Sequence, residues 1–133
     1  MDQAQQILHD WLASEASHVP AGTALIPERV IASLTSILAA EQAGEPALVL
    51  CQATLSALFR AHRQSARAHA ALLAELLARL GTVSTAHFWN PAVDFLNMAP
   101  DLGQRAIAGW VELLHLSPGQ EQQLRTELFH ALR

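Results

Sequence analysis

Residues 46 to 80 read PALVLCQATLSALFRAHRQSARAHAALLAELLARL, a run with no glycine and no proline after Pro46. Alanine, leucine, arginine, glutamine and glutamate dominate it, so intrinsic propensity allows a single helix of about 50 Å at 1.5 Å per residue. On such a helix each residue advances about 100°, and positions seven apart nearly coincide in azimuth. Leu48, Leu55, His62, His69 and Leu76 then form one line. Cys51, Leu58, Ser65 and Leu72 run on one side of it, and Phe59, Ala66, Leu73 and Leu80 on the other. The result is a continuous apolar stripe that contains both histidines, while Arg60, Arg63 and Arg67 lie on a different face. This phase predicts His62 and His69 turned inward and the arginines in solvent.

Outward from this run, breakers and periodicity divide the chain into further helices, and no alternating β-branched stretch marks a strand. A first helix is predicted over about Asp2 to Ser17, followed by a loop from His18 to Ile26. Pro27 opens a second helix that runs to Gly44 with Val30, Ile31, Leu34, Ile37 and Leu38 on its apolar face. Gly81 to His87 reads as a break, and Asn90 with Pro91 reads as the start of a short helix ending at Met98. Another helix spans about Asp101 to Leu116. Ser117 and Gln120 then stand at the spacing of a capping box before the last one. The expectation is an all-α, compact helical bundle of five to seven helices in one domain, residues 1–133, built around a long central helix at about 46–80.

The chain has 133 residues, 51% of them hydrophobic and 15% charged, so its surface carries few charges and part of the apolar excess is expected to meet a partner. A homodimer satisfies that expectation. The formal charge of -4 argues against a nucleic-acid binder, which needs a basic face to displace counterions. No apolar stretch reaches the roughly 20 residues of a membrane span. The opening MDQAQQILHDW has no basic region followed by an apolar one, so no export signal is expected. A lone cysteine, Cys51, makes neither an internal disulfide nor a cysteine zinc site, which suits a reducing compartment and makes the cytoplasm the expected location.

Candidate functional residues fall in two groups. In the first, Arg60, His62, Arg63, Arg67 and His69, the arginines form either a solvated face or a site for a small anion or acidic partner. The histidines are core residues, or mark a turn near residues 62 to 66 that splits the helix, or form a seam meeting a symmetry mate as a pH- or metal-dependent clamp. Within one chain, two histidines seven apart stand about 10 Å from each other, too far to share a metal. The second group is the run HFWNPAVDFLNM, where Phe88, Trp89, Phe95 and Met98 either pack a core or line an apolar groove for a partner helix or ligand. Three Glu-x-x-His pairs, Glu15/His18, Glu112/His115 and Glu127/His130, have the spacing used by carboxylate-bridged metal bundles, but their periodicity turns them outward. Ser33, Ser36 and Ser56 have no histidine and acid beside them in sequence, and no glycine-rich phosphate loop is present. No catalytic residue, metal or cofactor is assigned.

Two short resemblances bear on these residues. AHRQSA, Ala61 to Ala66, resembles the phosphoacceptor region of histidine phosphotransfer domains, with Ala66 in the small-residue place and no lysine after the histidine. That resemblance implies an exposed His62 acting as phosphoacceptor. Arg125-x4-His130 and Arg63-x5-His69 resemble the Arg-x4-6-His element of HEPN ribonucleases, which implies acid/base and phosphate-stabilising roles across a dimer cleft. Alongside them stands ligand or metal sensing through His62 and His69. The residues as a whole favour a small cytoplasmic protein–protein interaction module, regulatory, adaptor or chaperone-like, and homodimeric.

Overall fold

The computed structural model describes residues 3–16, 27–40, 44–115 and 117–131. They form eight helices and no strand: α1 (Gln3–Ala16), α2 (Glu28–Ala39), α3 (Glu45–Ala61), α4 (Arg63–Ala68), α5 (Ala70–Val83), α6 (Thr85–Met98), α7 (Pro100–Leu114) and α8 (Pro118–Ala131). The fold is all-α. The predicted loop from His18 to Ile26 lies outside the described residues. Among those residues no helix is long and apolar enough to cross a membrane.

The long central helix is not a single rod. It is interrupted at His62 (φ −121, ψ 47) and again at His69 (φ −111, ψ 21), which divides it into α3, α4 and α5 and raises the helix count beyond seven. Each histidine ends one ladder and starts the next. The His62 N–H donates to the Leu58 carbonyl at 3.0 Å, and the His62 carbonyl accepts from Ala66 at 2.8 Å. The His69 N–H is shared between the carbonyls of Ser65 and Ala66, and its own carbonyl accepts from Leu73 at 3.0 Å. Propensity permits a continuous helix here, and tertiary packing overrides it: α3 lies against α6 and α1, whereas α5 lies against α7 and α6 and meets α2. One straight helix cannot follow both sets of neighbours.

The expected break from Gly81 to His87 is likewise revised. α5 runs on through Gly81 to Val83, and one extended residue, Ser84 (φ −153, ψ 108), separates it from α6. Gly81 serves close approach: a Cβ there would overlap the Trp110 indole and stand 2.9 Å from Phe88. Pro91 does not open a helix but sits inside α6. It lacks the N–H that the His87 carbonyl would otherwise accept, and the helix is held by burying Phe88, Ala92 and Phe95. The second helix stops at Ala39, short of the predicted Gly44, with Ala40 extended.

The core is built mainly from α3, α5, α6 and α7. Phe59 and Phe95 pack at 4.6 Å between ring centroids, and Phe88 and Trp110 at 3.8 Å, all four side chains fully buried. Each such burial contributes about 1.5–3 kcal/mol relative to an exposed ring. The capping box forms as its spacing predicts: Gln120 N–H donates to Ser117 Oγ at 3.3 Å, and Ser117 N–H donates to Gln120 Oε1 at 3.1 Å.

Candidate functional site

The residues of the Arg/His stretch separate when the helix bends. His62 is buried, 2% exposed, with its ring 5.5 Å from that of Trp11 in α1. His69 is exposed, contrary to the inward direction predicted for it, and its Nδ1–H donates to the Ser65 carbonyl at 3.0 Å. His69 itself leaves the helix (φ −111, ψ 21), whereas Ser65, Ala66, Leu73, Leu76 and Leu80 on either side of it stay buried as the phase predicts. Arg60, Arg63 and Arg67 are all exposed.

Two of these arginines reach α6. Arg60 Nε donates to Asp94 Oδ1 at 3.0 Å, and Arg67 Nη2 donates to the Met98 carbonyl at 2.8 Å. The second contact satisfies one of the carbonyls left open at the C-terminus of α6. Asp94 is itself largely buried, with Oδ2 enclosed and unbonded, so the guanidinium of Arg60 offsets part of a desolvation cost. The arginine row is thus partly a clamp from α3 and α4 onto α6, a role that helix phase does not reveal.

In the second group, Phe88, Phe95 and Met98 are buried and Trp89 is half-buried, its ring edge-on to Trp110 at 6.3 Å. Phe88, Phe95 and Met98 therefore pack the core, and Trp89 keeps a partly open face. Glu112, His115, Glu127 and His130 are exposed, the side chain of Glu15 and residue His18 lie outside the described set, and no group of three metal-ligating side chains occurs among the described residues. Cys51 is fully buried in α3, and desolvation pushes its thiol pKa up to about 12.

A groove lies between α5 and α7, with a volume of about 530 Å³. Its floor is small, from Ala74, Ala78, Ala106 and Gly109, and its rim is charged, from Glu75, Arg79 and Arg105. Glu75 and Arg79 stand 3.5 Å apart on successive turns, and both are well exposed. Of the three large hydrophobic residues exposed among the described residues, Leu72 and Val83 belong to α5. Eleven residues apart, they share nearly one azimuth, close to that of Arg79, and neither lines the groove.

A further cluster joins the N-termini of α3 and α6. His87 lies between Ser84 Oγ, 2.6 Å from Nδ1, and Glu45 Oε1, 2.9 Å from Nε2. The 84-x-x-87 spacing at a helix start was the signal in the sequence. The acid comes from 42 positions away, which no local pattern shows.

Comparison with protein-family models, with curated proteins and with solved structures gives no match in any of the three.

Proposed function

We propose that this chain is a small helical interaction module that docks through the α5–α7 face, and that the first occupant of that face is a second copy of itself. The observations that carry this reading are the small-floored groove between α5 and α7 and the two exposed apolar side chains, Leu72 and Val83, that α5 also carries. Alanines and a glycine on the floor let another backbone or side chain approach closely. A rim with both charge signs suits a two-fold contact, in which each patch must complement itself. The low charged fraction of the surface supports covering one face, and the lone buried Cys51 fits a reducing, cytoplasmic setting. Regulatory or adaptor work then follows from exchanging one copy for another helical partner. His62 lacks the exposure that a phosphoacceptor needs, and Arg125 is engaged by Glu121 at 3.1 Å.

Sedimentation velocity at low and high micromolar concentration tests the reading. The native chain is expected to shift from monomer to dimer as concentration rises, and Leu72→Glu or Val83→Glu to remain monomeric with unchanged helical content. A native chain that stays monomeric throughout, or exposed-face variants that dimerise as well as it does, would overturn it.

A further inference from the structure

We infer that Ser84, His87 and Glu45 form a nucleophile–base–acid relay able to take an acyl or phosphonyl group from a small activated ester, an activity independent of the docking face. Three features carry this beyond a hydrogen-bonded staple between helices. The first is proton polarity. A carboxylate only accepts, so His87 Nε2–H donates to Glu45, and in the neutral ring Nδ1 is then the acceptor for the Ser84 hydroxyl. The serine proton therefore points at a base whose far side is held by an acid, the arrangement that activates a hydroxyl nucleophile. The second is solvation: the His87 side chain is 12% exposed and Ser84 is half-buried, so the base is shielded while the hydroxyl stays within reach. The third is what lies next to the hydroxyl. Ser84 immediately precedes the 14-residue α6, and the first-turn N–H groups of Thr85 and Ala86 have no acceptor within that helix. They are donors for a developing oxyanion. One residue on, Thr85 borders a shallow groove of about 240 Å³ with mixed walls, Trp110, Leu114 and Leu124 beside Gln120, Gln123 and Glu127.

The chemistry balances without a cofactor. Ser84 Oγ forms a bond to the carbonyl carbon as its proton passes to His87 Nδ1, and the ester C–O bond breaks as that proton moves to the leaving alkoxide. Water then attacks the acyl-serine, gives its proton to Nδ1, and releases the acid with the Ser84 hydroxyl restored. With a fluorophosphonate the same attack forms an Oγ–P bond and expels fluoride, and the adduct persists.

The test uses the full chain with a fluorophosphonate probe and mass spectrometry of the labelled peptides, with the exposed Ser36 as internal reference. Labelling at Ser84 is expected to exceed that at Ser36 by about a hundredfold, the scale of general-base assistance. Glu45→Gln, at an exposed position, should slow it severalfold with helicity unchanged, and His87→Gln should remove the excess. Ser84→Ala should leave no adduct at that peptide. Equal labelling of Ser84 and Ser36 would overturn the proposal. So would Glu45→Gln and His87→Gln chains that are folded and label at the native rate, which would assign the trio to helix docking alone.

Discussion

His62 and His69 are the same residue type at equal phase on an uninterrupted helix, yet one is buried against Trp11 and the other lies in solvent. The inward direction of His62 was legible because the apolar line from Leu48 through Leu55 leads directly to it. That of His69 was not, because His69 is itself the residue at which the backbone leaves the helix, while the phase of Ser65, Ala66, Leu73 and Leu76 around it is kept. The clamps from Arg60 to Asp94 and from Arg67 to Met98 were hidden for a related reason: a long guanidinium can be exposed by azimuth and still reach a neighbouring helix. At Cys51 the structure makes a prediction about pH. The thiol is raised from 9.0 to about 12 by burial, so the unfolded chain ionises first as pH rises. The stability contributed by keeping the thiol neutral is complete below 9.0 and declines toward about 12. With no lysine and no tyrosine in the chain, little else among the side chains titrates in that window. Urea midpoints should fall across it for the native chain and much less for Cys51→Ala. A thiol reagent should modify Cys51 only at the rate of unfolding.

At the scale of elements, local chemistry was readable where the partner is local. Ser117 and Gln120 form their reciprocal cap because both belong to one turn. Pro91 and Gly81 misled because the same residues that punctuate a chain also serve packing. Pro91 is carried in the interior of α6 by buried neighbours, and Gly81 admits the indole of Trp110. Gly103 in α7 is the sharper case, since a Cβ there would stand 2.8 Å from the Leu96 Cα, a backbone atom that cannot rotate away. Alanine at that place gains about 1 kcal/mol of helix propensity, but overpacking costs about 1–3 kcal/mol. Gly103→Ala should therefore destabilise the fold. Gly109, six residues on in the same helix, faces open space, and Gly109→Ala should stabilise by up to about 1 kcal/mol. Chemical denaturation of the two variants should give shifts of opposite sign.

For the molecule as a whole, the all-α class followed from periodicity and from the absence of strand-like runs. The candidate docking face did not, because the α5–α7 groove brings Ala74 and Ala78 against Ala106 and Gly109 across the fold. Nor did the relay at Ser84, which needs α3 and α6 to begin at the same corner. The two interruptions of the segment from Glu45 to Val83 carry a consequence for how copies of the chain assemble. Its composition would support a straight helix, so the interruptions follow from tertiary packing rather than from local propensity. If both straightened, α5 to α8 of one molecule would be carried away from its own α1 to α3 and could complete those of another, an exchange of halves. Replacing His62 and His69 together by alanine removes the residues at which the ladder is handed over and strengthens the straight form. Size-exclusion chromatography of that double variant after refolding at high concentration should show an intertwined dimer that separates only on unfolding, whereas the native chain refolded in the same way should show none.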